Sequence, residues 1–272
     1  MATKNGQGQA IKKIQGLVDP GHKTIVPIKG DLVPKHGHIK ASVVIPAFME
    51  EKNIASTLQS LSGQKVSFNF EVIVSDASST DKTVKIAKSR GAKVLISPKT
   101  TIGVGRAIGL LAAKGEILVF TSADTVFEQG WLQNIVAPFE NPGVAAVLGR
   151  FRPKEGTVFE NFFCDCLLFP AAKLLAYLHM YYANGDAMAI RKSVYTYIGG
   201  INRELVTAED TDIAMRASRI GRVVFCDSAR AIISMRRIRK WGYPRFILFH
   251  TANFFMTTLF NKPFGKYEAI RD

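Results

Sequence analysis

Residues 41–79 read ASVVIPAFMEEKNIASTLQSLSGQKVSFNFEVIVSDASS, and the order of patterns within them decides the fold. Residues 41–46 are a short β-branched run stopped by proline. Residues 50–61 carry apolar side chains at helical spacing (Ile54, Leu58, Leu61), and residues 70–75 form a second apolar β run ending in a polar turn. The rhythm continues outward. It predicts a helix through Val84, Ile86 and Ala87, a strand over 92–96, a small-residue helix over 105–114 and a strand over 117–121. Strand and helix alternating at this pace predict an α/β domain with a mostly parallel sheet covered on both faces. Ligands of such sheets sit beyond the carboxyl ends of the strands. Those ends hold Pro46 and Ala47, then Asp76 to Ser79, then Ser97 and Pro98, then Ser122 to Asp124.

Beyond a further strand at 144–148 the pattern changes. Residues 158–182 are mostly apolar and aromatic, interrupted by Glu160, Asp165 and Lys173. An acid-led helix over 207–220 and a short strand over 222–226 follow. Residues 230–245 then hold Arg236, Arg237, Arg239 and Lys240 without an acid, and run into the apolar stretch 246–260. Residues 1–40, punctuated by Gly, Lys and Pro, read as an arm. The expected organisation is an arm (1–40), an α/β domain (41–235) and a basic and apolar segment (236–272), with no internal repeat.

The 272 residues include 36 Lys and Arg against 22 Asp and Glu, a formal charge of +14. That surplus attracts polyanions, whether nucleic acid, anionic lipid or phosphorylated substrate. With 47% hydrophobic and 21% charged residues the chain is neither disordered nor collagen-like. Cys164, Cys166 and Cys226 cannot form a disulfide framework, and Cys164 and Cys166 are expected as buried free thiols inside an apolar run. His36 and His38 lack ligand spacing for zinc. The first sixteen residues carry no apolar run of the kind a signal peptide needs.

Gly103 and Gly105 invite a dinucleotide-binding reading, but the third glycine of that fingerprint would fall on Ile108, and no phosphate loop occurs. Asp76 opens DASSTD after a strand. A turn or helix cap explains one polar residue there, with Thr80 or Asp81 as the cap, whereas five at a strand end suggest a ligand. Such a carboxylate can accept the N–H edge of a uracil or guanine. Asp124 lies at the same sheet edge, and one carboxylate with phosphate oxygens is a usual setting for magnesium or manganese. Glu209, Asp210 and Asp212 stand at a helix start, where acids are at home and Thr207 can cap. Their mutual repulsion also raises the pKa of one member, as a general base needs.

Taken in order, residues 41–58, 71–94, 103–125, 185–200 and 208–223 resemble inverting family-2 glycosyltransferases of the GT-A fold, with partial likeness to the cellulose-synthase-like and polyprenol-dependent mannosyltransferase branch. The resemblance covers roughly residues 41–240. It implies a nucleoside-diphosphate-sugar donor, Mn2+ or Mg2+, and a single displacement that inverts the anomeric centre. By position, Pro46, Ala47, Glu50 and Asp76 would frame the nucleoside, Arg106 would stand near the donor, and Asp124 matches the second acid of the D-x-D metal motif. Asp210 matches the base, with Glu209 beside it. Arg237, Lys240 and Trp241 resemble the Q/R-x-x-R-W element. Two departures stand out: Ser122 replaces the first acid of D-x-D, and Lys240 replaces an arginine, losing its bidentate geometry. Asp186 occupies a place where a small residue is common, and would touch donor sugar or acceptor, or cap a turn.

The resemblance puts GDP-mannose ahead of UDP-sugars as donor; with the basic and apolar segment it points to a membrane-proximal, lipid-linked glycan acceptor, and the retained acid pair favours a hydroxyl over a lipid phosphate. Residues 246–260 would make a helix of about 22 Å, short of the roughly 30 Å hydrocarbon core. The expectation is an interfacial helix led by lipid-binding basic residues, in an enzyme on the cytoplasmic face of a membrane, with 158–182 as a second such element. A core helix and a spanning pair are the alternatives. The rival functions are a polyprenyl-phosphate glycosyltransferase, a non-enzymatic polyanion-binding module and a nucleotidyltransferase. Nucleic acid is not an expected partner, because the basic residues precede an apolar helix instead of interleaving with aromatics.

Overall fold

The computed structural model describes residues 27–28, 37–99, 101–202, 205 and 207–260. Most of the expected arm and residues 261–272 lie outside the described residues. The strands are β1 (Pro27–Ile28), β2 (Ala41–Ala47), β3 (Phe70–Asp76), β4 (Lys93–Ile96), β5 (Ile117–Phe120), β6 (Val126–Phe127), β7 (Val144–Pro153), β8 (Met188–Arg191) and β9 (Arg222–Ile233). They form one sheet in the order β1-β4-β3-β2-β5-β8-β7-β9-β6. The four strands read from the first half of the chain, β4-β3-β2-β5, are parallel. Their register sets Ala47 opposite Asp76 and Asp76 opposite Ile96, so their carboxyl ends share one edge.

Around the sheet lie α1 (Ile54–Ser62), α2 (Thr83–Ser89), α3 (Ile102–Ala112), α4 (Trp131–Val136), α5 (Val158–Phe162), α6 (Phe169–Ala176), α7 (Lys192–Tyr197), α8 (Glu209–Ser218), α9 (Arg236–Trp241) and α10 (Tyr243–Phe260). Alternate strand residues feed opposite cores, as the pleat requires. Val43, Ile45, Val72, Val74, Ile117 and Val119 pack with Ile54, Leu58 and Leu61 of α1 and with α4. Val44, Ile73, Leu118 and Phe120 pack on the other face with Ile108 of α3 and with Ile213 and Ala214 of α8. The two-sided burial explains why these strands read as continuous apolar runs.

The glycines of α3 serve packing. A Cβ on Gly109 would collide with Val44 Cγ1, so the missing side chain lets the helix lie close on β2. Thr101 caps the helix by accepting from Val104 N at 3.3 Å, which starts it three residues earlier than its spacing predicts.

The second half of the sheet is mixed. β8 pairs antiparallel with both β5 and β7, while β9 runs parallel to β7. MAIR is too short to announce itself as a strand; its neighbours on both sides make it one. β7 and β9 each outrun their apolar runs, to Pro153 and Ile233, and β9 thereby delivers α9 to the cleft. α5 and α6 are joined through a π-helical turn, Phe163–Leu168. Cys164 is buried there, its thiol pushed up to about 11 by desolvation, but Cys166 is exposed, against expectation, because only one helix face meets the sheet.

α10 starts at Tyr243, three residues before its apolar run, and packs against α8. Tyr243 donates to Glu160 Oε1 at 2.6 Å, and Glu160 also closes a capping box with Thr157. That bond ties the C-terminal helices to α5. Among the described residues no helix is long and apolar enough to cross a membrane.

Candidate active site

A cavity of about 370 Å3 opens at the carboxyl edge of the parallel strands. Of the residues singled out from sequence, Pro46, Ala47, Glu50, Arg106, Ser122, Asp124, Asp186, Glu209, Asp210 and Arg237 line it. Asp76 and Trp241 are not among its lining residues.

Asp76 is fully buried at the end of β3. Its Oδ1 accepts from Ser79 N at 2.8 Å and its Oδ2 from Ser79 Oγ at 2.6 Å, a closed turn in which desolvation still raises its pKa. The flanking Ser75 and Ala77 reach the cavity instead. Neither expected residue caps α2: Lys82 holds the cap position without a side-chain cap bond, while Asp81, one residue ahead, accepts from Thr83 N at 3.0 Å. Trp241 packs between the guanidinium groups of Arg237 and Arg245, 5.4 and 5.0 Å from its ring centroid, outside the cavity.

The three acids of α8 are sorted by their partners. Glu209 forms a buried ion pair with Arg106 Nη1. Asp212 pairs with Arg216 one turn on. Asp210 is held by backbone instead: its Oδ2 accepts from Gly185 N at 2.6 Å and its Oδ1 from Thr211 N at 2.7 Å. Desolvation, helped by the adjacent Glu209 charge and opposed by Arg106, raises the Asp210 pKa to about 7. Thr207 does not cap this helix. Ala208 precedes it in a left-handed conformation, φ 61°, with no side-chain cap, and both residues line the cavity.

Arg106 is seated by its surroundings. Its Nη2 donates to Gly185 O at 3.2 Å, and its guanidinium lies 5.6 Å from the Phe120 ring centroid. A Cβ at Gly185 would come within 2.6 Å of Arg106 Nη1, so any larger residue there would displace the arginine from this seat. The next residue, Asp186, accepts from the Ser122 hydroxyl, and burial raises its pKa. The residue that replaces the first acid of D-x-D thus holds an acid from the other half of the sheet.

Arg236 was not among the residues singled out. Its Nη2 lies 3.0 Å from Asp124 Oδ2, and its Nη1 donates to Glu50 Oε2 at 3.1 Å. The sequence marked the basic stretch but not which member faces inward; successive helical residues differ by about 100° around the axis, and composition is blind to that angle. His250 and Phe254 of α10 also line the cavity, and burial with the Arg237 charge lowers the His250 pKa to about 4.

Among the described residues no three His, Cys, Asp or Glu side chains gather into a metal-holding group. The oxygen donors on offer are the Asp124 carboxylate and the Ser122 hydroxyl, with Asp186 beside the latter. One carboxylate with phosphate oxygens is a common magnesium setting, so these residues fit a cation that arrives with a diphosphate.

A second cavity, about 130 Å3 and mostly apolar, adjoins the first and shares Tyr182, Asn184, Ile233, Ser234, Arg237 and Phe246 with it. Phe151, Phe159, Phe163, Leu168 and Ile238 contribute to its wall.

Residues 42–199 match the family model described as glycosyl transferase family 2. The chain belongs to that family. It is 31% identical over 115 residues to an uncharacterized glycosyltransferase of Mycobacterium tuberculosis, covering 42% of this chain and 50% of that protein. It is 28% identical over 200 residues to an O-antigen chain rhamnosyltransferase of Salmonella anatum, covering 67% and 63%. The chain spans about half the length of the first of these curated relatives. Its fold matches a mannosyltransferase of Pyrobaculum calidifontis in complex with GDP-Man and Mn2+, at TM-score 0.63 and 17% identity over 94% of this chain and 73% of that one. S. aureus TarS in complex with UDP-GlcNAc matches at TM-score 0.59 and 22% identity over 80% and 73%. The mixed α/β architecture of this family-2 chain is therefore that of the GT-A glycosyltransferases.

Proposed function

We propose that this chain is a metal-dependent, inverting glycosyltransferase that moves a sugar from a nucleoside diphosphate to a membrane-proximal, lipid-linked glycan acceptor. One observation carries the reading: Asp210, its pKa raised to about 7, opens into the same cavity as Asp124 and the cations Arg236 and Arg237. An acid poised to take a proton faces groups able to hold a leaving diphosphate.

Asp210 removes the acceptor hydroxyl proton while that oxygen bonds to the anomeric carbon from the face opposite the diphosphate. The bond from that carbon to the diphosphate oxygen breaks, and the centre inverts through an oxocarbenium-like state. The Gly185 and Thr211 N–H groups hold Asp210 in place, and the Arg106–Glu209 pair fixes the helix start that carries it. Arg237 bears on the departing phosphates. Mn2+ or Mg2+ would be held by Asp124 beside Ser122, together with donor oxygens, and would supply charge neutralisation on the leaving group. GDP-mannose is the first donor to test and UDP-sugars the second.

The lipid side of the proposal rests on surfaces. Val158, Phe159, Phe162 and Leu174 on α5 and α6, Tyr177 at the end of α6, and Leu248, Leu259 and Phe260 on α10, are exposed. The α10 residues follow the basic α9, and each basic residue near an anionic leaflet adds roughly 1 kcal/mol, which favours the cytoplasmic face. The apolar cavity beside the site offers room for hydrocarbon. Because Arg237 lines both cavities, a polyprenyl-phosphate acceptor is the second reading, with its phosphate at Arg237. An already ionised phosphate needs no base, so Asp210→Asn would spare that reaction and abolish transfer to a hydroxyl.

The test incubates the full chain with GDP-mannose or UDP-glucose, Mn2+ and vesicles of anionic phospholipid containing polyprenol-linked sugar, and follows free nucleotide and the anomeric configuration of the product. Release of neither nucleotide, together with DNA binding of steep salt dependence, would replace this proposal with the polyanion-binding module.

A further inference from the structure

The cation position of this cleft is already served by a side chain. Arg236 sits at the start of α9, three residues beyond the end of β9, and its guanidinium spans two acids from different elements: Asp124 after β5 and Glu50 before α1. Side-chain exposure is 16% for Arg236, 16% for Asp124 and 4% for Glu50, so the triplet is largely shielded yet opens on the cavity. We infer that Arg236 is the resident counter-ion of the cleft, neutralising Asp124 when no donor is bound and yielding that carboxylate to a divalent cation only when a diphosphate enters.

The inference rests on the glycosyltransferase reading of this cavity and goes beyond it by assigning an order of binding. With serine at position 122, Asp124 contributes a single charge, and Arg236 shares its one positive charge between that carboxylate and Glu50. A divalent cation arriving alone would meet an occupied carboxylate and a guanidinium of like sign beside it, and both disfavour binding. A diphosphate reverses the balance. It brings oxygens that help hold the cation and offers Arg236 a second anionic partner of the geometry a guanidinium fork engages best. Glu50 accepts from both Nη1 and Nη2, so Arg236 stays anchored on it while the share of Nη2 now given to Asp124 passes to the diphosphate. Its task is therefore to couple cation and nucleotide, and it differs from Arg237, which lines both cavities and stacks on Trp241.

The experiment titrates the full chain with Mn2+, read by loss of the free-ion electron paramagnetic resonance signal, without nucleotide and with saturating GDP or UDP. In the native chain Mn2+ should bind about tenfold or more tightly with nucleotide than without, within the usual range of coupling between sites. Arg236→Gln should bind Mn2+ without nucleotide about tenfold more tightly than the native chain, and nucleotide should add correspondingly less. Adding Asp124→Asn to that variant should remove the gain. Circular dichroism and thermal melts establish that each variant is folded. Should Arg236→Gln not fold, Arg236→Lys serves in its place: a lysine keeps the charge but cannot span both acids, and it should bind Mn2+ between the two extremes. Mn2+ binding that is equal with and without nucleotide in the native chain, or unchanged by either folded variant, overturns the inference. Calorimetry of GDP and UDP in EDTA separates the two failures. A chain that binds a nucleotide yet shows no Arg236 effect loses only the counter-ion role. One that binds neither nucleotide loses the donor site and this inference with it.

Discussion

Asp76 and Asp210 are two carboxylates raised by the same cause and placed to opposite ends. Desolvation dominates the shift at both. Asp76 spends its oxygens on Ser79 within its own turn and is fully covered, whereas Asp210 rests on two backbone N–H groups and opens into the cavity. Burial alone therefore does not mark a base. In the proposed mechanism access does, together with supports that hold the group without neutralising it.

The strongest way to break this contrast is Asp210→Asn. Transfer to a hydroxyl acceptor should fall by about 10²–10⁴-fold while nucleotide affinity holds, as steady-state kinetics beside calorimetry would read. A variant retaining native turnover would remove Asp210 from the chemistry. Next in size, Arg106→Leu leaves Glu209 buried without its cation, and urea unfolding should show a loss of about 3–5 kcal/mol. A loss under about 1 kcal/mol would mean the pair is dispensable to the fold.

The pH dependence sharpens the comparison further. A base titrating near 7 should make kcat/KM rise about tenfold per pH unit below that value and level above it, with the limb absent in Asp210→Asn. The linked effect on stability has the opposite sign. The folded protein holds the Asp210 proton more tightly than the unfolded chain does, so stability from this group is full below about 4 and is lost as pH rises towards 7. Thermal melts of Asp210→Asn should lack that decline. Smallest of all, Asp76→Asn should cost about 1–3 kcal/mol through its turn and change GDP or UDP affinity less than Asp124→Ala does. A larger nucleotide effect at Asp76 would show that its carboxylate reaches the base.

Much of this architecture is legible in the chain because its causes are local. Two-sided burial writes β2 to β5 as apolar runs, and each run ends in a polar turn that marks the ligand edge. β8 is different: four residues become a strand only because β5 and β7 flank them. The acid cluster showed that one of Glu209, Asp210 and Asp212 must be raised. Asp210 is the member left to the backbone, because Arg216, four positions from Asp212, and Arg106, 103 positions from Glu209, pair with its neighbours. Arg236 reads only as part of the basic stretch for a similar reason, since its facing is set by where β9 ends.

α10 joins the interior of the molecule to its outer surface. Phe254 forms part of the cavity wall, while Leu248 and Leu259 of the same helix point outward. One helix, about 10 Å across, thus carries side chains both into the cavity and onto the outer surface. If the acceptor is anchored against that face, as proposed, only a short stem need separate its reacting hydroxyl from the anchor.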